Sequence, residues 1–180
     1  MSTGTLVRLS AELLGLLLLC VVLRARGESL RDVLALTPPR LSTLAAWVAA
    51  FCVLVALEAL LEPLLGFPPV HPWEGGYHSA DLLLRLAGVV LVAPVAEELI
   101  FRGAAFTRLA GTGLGPSGAI AVTAAIFAML HLQYGSGHIA LILLDGLFYG
   151  LARAKTGTVL VPLVCHMIGN SYAAWERLVG

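Results

Sequence analysis

Turn-forming residues cut this chain into apolar stretches of about twenty residues, and that pattern restricts its fold more than any other feature. Apolar segments run over about 6–23, 41–62, 82–108, 117–134, 138–154 and 158–177. Most breaks carry turn chemistry: Thr37-Pro38-Pro39, Phe67-Pro68-Pro69, Gly111 to Gly115 with Pro116, Gly135-Ser136-Gly137, and Thr156-Gly157. A helix of about 20 apolar residues crosses the hydrocarbon layer of a bilayer. In lipid there is no water to bond the backbone, so a spanning segment must satisfy its N–H and C=O groups internally. The expectation is an all-α, polytopic transmembrane helical bundle of about six spans, a single integral-membrane domain over 1–180. Composition agrees, with 59% apolar and 12% charged residues, well outside the soluble range. Eleven Lys+Arg balance eleven Asp+Glu, with no basic patch, so nucleic acid is excluded as a partner and the lipid bilayer is the expected one.

The first segment lies between Arg8 and Arg24-Ala25-Arg26 and no small-residue cleavage site follows it, so it reads as a retained span. Lys and Arg concentrate in the first loop (Arg24, Arg26, Arg31, Arg40), the third (Arg108) and the fifth (Arg153, Lys155). The positive-inside rule makes those loops cytoplasmic and puts both termini outside. The loop 63–80, with His71, Trp73, Glu74, Tyr77 and His78, reads as an aromatic interfacial hairpin or a cavity rim. Cys20, Cys52 and Cys165 fall in apolar segments without metal-type spacing and read as small hydrophobes.

Several polar residues fall where lipid should forbid them. A charge at the centre of a span costs roughly 2.5–3.5 kcal/mol on insertion scales, so intramembrane acids face protein or trapped water and mark sites. The third segment holds Glu97, Glu98 and Arg102, with Pro94 predicting a tilt or kink just before them. Glu98 and Arg102 are four apart and stack on one helical face as a pair. Glu97 points about 100° away, has no local partner, and would face a cavity as a general base. Phe127-x-x-x-His131 closes the fourth segment, where packing and interfacial roles compete with catalysis. In the sixth, His166 and Asn170 share one face, and Gly169 lets a neighbouring helix approach. Two polar groups aimed at one point suggest a shared water, a metal or an oxyanion. A carboxylate, two histidines and an asparagine together supply what water activation on a peptide bond needs.

Glu97-Glu98-x-x-x-Arg102, Phe127-x-x-x-His131 and His166-x-x-x-Asn170 resemble, in order, the three motifs of the CAAX protease and bacteriocin-processing family of intramembrane endopeptidases. The stretch from Gly146 through Thr156-Gly157 to Pro162 is similar to that family's spacing before the final histidine. The resemblance covers 82–172, the expected catalytic core, and implies peptide hydrolysis in a cavity inside the membrane, near a substrate's C-terminus. By the same resemblance, Glu97 with His131 would deprotonate the attacking water, and His166 with Asn170 would hold the oxyanion. Arg102 would neutralise and orient the glutamate pair, and Phe127 would shape the pocket. No cofactor is favoured; zinc held by Glu97, His131 and His166 is the other reading, disfavoured because Asn170 beside His166 suits an oxyanion donor. The expected substrate is a peptide or C-terminal tail of a membrane-associated protein, and the expected location a bacterial-type plasma membrane. The competing functions are a proton-coupled transporter, for which no repeated halves are visible, and an inactive scaffold, against which the motifs are intact. Asp145 in the fifth segment has no assigned role, with pairing to a site histidine or Arg153 and lining of the cavity as its two readings; Glu58 and Glu62 in the second raise the same question and read by default as interfacial.

Overall fold

The computed structural model describes residues 3–68, 73 and 79–179; His71, Glu74, Tyr77 and His78 lie outside the described residues. Every regular element among the described residues is helical. α1 (Thr3–Ala25) leads through Gly27, at φ 68°, into the single turn α2 (Leu30–Val33), whose N-cap Ser29 accepts from the Asp32 amide. α3 (Leu41–Leu64) follows. The backbone from 79 to 110 is one helical run with two register changes: α4 (Ser79–Ala87), a π turn Gly88–Val92, α5 (Ala93–Glu98), a second π turn Leu99–Ala105, and α6 (Phe106–Ala110). α7 (Gly115–Met129), α8 (Ser136–Thr156) and α9 (Leu160–Val179) complete the chain, with Gly157 in the left-handed region capping α8. Helical backbone thus occupies all six apolar segments, but only α1, α3 and α8 are long and apolar enough by themselves to cross a membrane. α7 is shorter than its segment because the chain turns at Leu130–Tyr134. Pro94 does not break its helix; the wider π register precedes it.

The basic loops meet at one end of the bundle. Arg108 Nη2 donates to Glu28 Oε2 at 2.8 Å, Arg153 Nη2 to Thr107 Oγ1 at 3.2 Å, and the Val159 amide to the Ala35 carbonyl at 3.1 Å. At the other end the Trp73 amide donates to the Arg177 carbonyl, and Phe67 packs against His138. Apolar surface faces outward: only 6% of the apolar window in α1 and 11% of that in α3 is buried. Leu13, Leu17, Leu57, Leu60, Leu144 and Leu147 are all exposed, as lipid-facing side chains must be. The interior instead holds Glu98, Arg102 and His166 alongside Phe51, Tyr149 and Cys165. Glycines allow this packing. A Cβ at Gly146 would lie 3.2 Å from Ala124 of α7 and 3.3 Å from Arg102 Nη2, so α7 and α8 meet backbone to backbone beside the arginine.

Candidate active site

α5 presents Glu97 and Glu98 as its last two residues, and the π turn after it carries Arg102. Both Glu98 and Arg102 are fully buried, with Arg102 Nη1 donating to Glu98 Oε1 at 2.8 Å and Nη2 to the Gly146 carbonyl at 2.9 Å. The guanidinium lies over the rings of Phe127 (4.8 Å) and Tyr149 (5.3 Å), so π faces and a backbone carbonyl replace the water it has lost. Arg153 Nε donates to the carbonyl of Arg102 at 2.9 Å. Arg153 is therefore bound to the backbone of the site helix, not to Asp145 as the sequence suggested.

His166 enters from α9 between the two glutamates. Its Nδ1 lies 3.0 Å from Glu98 Oε1, and its Nε2 lies 3.5 Å from Glu97 Oε2. Glu98 thus serves the histidine as well as the arginine, and Glu97 is not without a partner. The two contacts differ in kind: 3.0 Å is a hydrogen bond, whereas 3.5 Å lies beyond the usual range. Glu97 remains 20% exposed and opens onto a recess of about 1050 Å³ that Phe127, His131, Tyr149 and Asn170 also line. One glutamate is locked and the other is accessible.

His131 lies in the turn after α7, with Nδ1 2.8 Å from the Phe127 carbonyl. A carbonyl can only accept, so the proton sits on Nδ1 and the Nε2 lone pair is left for another donor. Phe127 packs between the histidines, with ring centroids 4.9 Å from His131 and 5.6 Å from His166. Sequence reasoning missed Tyr149, which is buried, stacks on His166 at 5.0 Å and 19°, and fixes the plane of the imidazole. Its position three residues after Gly146, on the close-packed face of α8, was the available signal.

Asn170 lines the same recess as His166, but one of its amide hydrogens is already engaged. Its Nδ2 donates to the carbonyl of Val89 at 2.7 Å. That acceptor is free for a covalent reason. The Ala93 amide is spent on Gly88 in the π register, and Pro94, next in line for Val89, has no N–H to give. Asn170 satisfies the orphan and ties α9 to the glutamate helix, with its second amide hydrogen and carbonyl oxygen left over.

Among the described residues, no three His, Cys, Asp or Glu side chains converge in a way that could hold a metal ion. His131 and His166 each have Nδ1 engaged, by the Phe127 carbonyl and by Glu98, which leaves Nε2 available, an arrangement that serves a metal ligand as well as a hydrogen-bonding group.

Residues 79–172, just over half of the chain, match the family model described as type II CAAX prenyl endopeptidase Rce1-like. The chain belongs to this family. No curated protein and no solved structure matches it. Membership together with the apolar helices supports an integral membrane protein and an intramembrane protease. All seven residues singled out from the sequence fall inside the matched stretch, as do Tyr149 and Pro94.

Proposed function

We propose that the protein is a metal-free, glutamate-dependent endopeptidase that cuts a membrane-associated peptide near its C-terminus, in a cavity within the bilayer. The observation that carries this reading is the unequal treatment of two adjacent carboxylates. Glu98 is neutralised by Arg102 and bonded to His166, while Glu97 faces the recess with only a loose contact. Water between Glu97 and the Nε2 lone pair of His131 gives a proton to Glu97 as its oxygen attacks the scissile carbonyl carbon. The spare amide hydrogen of Asn170 and the Nε2–H of a His166 protonated on both ring nitrogens, its Nδ1–H staying on Glu98, bond the oxyanion, where fixed donors in a low-dielectric site are most effective. As the C–N bond breaks, the proton held by Glu97 passes to the departing amine, leaving a new carboxylate and a free amino terminus. Arg102 holds Glu98, and through it the ring of His166, in register. Six helical runs, each matching one apolar segment, support six crossings, those shorter than a bilayer being helped by their turns. The surrounding membrane is of the bacterial plasma-membrane type.

The test compares C-terminal masses of membrane proteins from cells carrying wild-type protein, Glu97→Gln or neither, followed by cleavage of the shortened substrates in proteoliposomes. Glu97→Gln is expected to lower the rate by about two to four orders of magnitude. Unchanged cleavage by Glu97→Gln refutes the assignment of Glu97, and C-termini identical in cells with and without the wild-type protein refute the protease reading.

A further inference from the structure

The recess has a second set of acids that the hydrolytic chemistry does not use. Glu58 on α3 is only 8% exposed, lines the recess, and has an inaccessible Oε1 with no hydrogen-bond partner. Across from it on α8, Asp145 also lines the recess, with Oδ1 buried and unpartnered. The two carboxylates act on each other electrostatically, and Glu62, one turn after Glu58, extends the series outward towards Glu176 and His138.

Among the described residues, no hydrogen bond or ion pair reaches the buried oxygens of this pair. The positive groups that act on Asp145 are Arg102 and His166, both already bonded to Glu98. Arg8, Arg85 and Arg177 also line the recess, where Arg8 pairs with Glu12, Arg85 lies over the Trp73 ring and Arg177 over that of Tyr134. An acceptor left unmade in a buried site is costly, and apolar residues would be the cheaper filling for a bundle of this kind. Asp145 also precedes Gly146, whose carbonyl binds Arg102, so the pair sits beside the proposed catalytic cluster. Two facing carboxylates without a third ligand are too few for a metal. They match an ammonium or guanidinium group, which brings only donors.

We propose that Glu58 and Asp145 form a subsite for a lysine or arginine side chain of the peptide substrate, next to the scissile bond. The proposal rests on the protease reading above. Without it, the same pair would have no peptide to select.

The experiment uses the full chain in proteoliposomes and a peptide series derived from a cleaved substrate. Residues flanking the cut are replaced in turn by lysine, arginine, norleucine or glutamate. At one position kcat/KM should favour lysine or arginine over isosteric norleucine by roughly tenfold to a hundredfold. Glu58→Gln and Asp145→Asn should collapse that ratio towards one, and Glu58→Lys should turn the preference towards glutamate at the same position. Equal cleavage of lysine and norleucine peptides by the wild type at every position overturns the subsite while leaving the protease reading intact. So does a ratio that survives Glu58→Gln and Asp145→Asn. Failure to cut any peptide in the series overturns both readings together.

Discussion

Replacing Arg102 by methionine is the most informative single perturbation, because the structure allows its cost to be divided. The variant keeps the volume and loses both donors, to Glu98 Oε1 and to the Gly146 carbonyl. Breaking one side of a buried ion pair costs about 3–5 kcal/mol, since the remaining charge is stranded. Glu98 keeps His166 Nδ1 at 3.0 Å, which places the expected cost at the lower end of that range. For a chain of this size, about 3 kcal/mol lowers the melting temperature by roughly 6–12 °C. The double variant Glu98→Leu, Arg102→Met removes the stranded charge as well. In the native pair, Glu98 Oε2 and Arg102 Nε have no partner, so the pair is incompletely satisfied and an apolar replacement should recover most of the loss. What remains is the Nδ1–H of His166, left without the Glu98 carboxylate, about 1–3 kcal/mol. With about 3 kcal/mol for each single variant and about 2 kcal/mol remaining in the double variant, the coupling energy of the cycle should be about 4 kcal/mol, measured by thermal unfolding of purified protein in micelles. Stability should return without activity, because His166 has lost the carboxylate that holds its ring. A double variant as unstable as the sum of the two single variants, with coupling below about 0.5 kcal/mol, refutes the buried pair. A stable double variant with full activity refutes the positioning role of Glu98.

Other consequences can be checked more simply. Asn170→Ala strands the Val89 carbonyl and should cost about 1–3 kcal/mol. Adding Pro94→Ala supplies a helical N–H nearby, so the double variant should be more stable than Asn170→Ala alone, and a purely additive result rejects the proline-made acceptor. Gly146→Val drives a branched side chain into Ala124 and the Arg102 guanidinium; unfolding midpoints should fall by the equivalent of about 1–3 kcal/mol, and a neutral result means that α7 and α8 are less tightly joined. Tyr149→Leu should lower kcat more than it raises KM, since the ring it supports belongs to the catalytic cluster and not to substrate binding. Purified protein dialysed against strong chelators should retain its cleavage rate and show no bound zinc by elemental analysis; loss of activity restored by added zinc would reverse the mechanism.

The helical class and the cluster were legible because lipid makes polar residues conspicuous. Glu98 and Arg102 needed only i,i+4 spacing to be paired, and the structure bonds them. The rest required knowledge of which helix faces which, and α1, α3 and α7 are too evenly apolar for periodicity to show a buried side. The orientation of Asn170 depended on a π turn, which shifts backbone partners by one residue and leaves no mark in a hydrophobic pattern. Pro94 is visible in the sequence, where its usual steric effect points to a kink. Its consequence here is chemical, a missing donor that frees one carbonyl.

That distinction changes what Glu97 and Glu98 mean. On a helical wheel they diverge because adjacent residues cannot share a face, which explains two roles but not which residue takes which. Burial and partners decide it. The glutamate that holds Arg102, and through it the Gly146 carbonyl, is consumed in holding three helices together, through α5, α8 and, by His166, α9. Its neighbour is spared that duty and can change its protonation without unmaking the bundle. A residue that must gain and lose a proton in every turnover cannot also be the structural counter-ion of a buried arginine, since each protonation would strand that charge at a cost of several kcal/mol. In the proposed mechanism two adjacent acids solve the problem by dividing it: one keeps the site assembled so that the other can react.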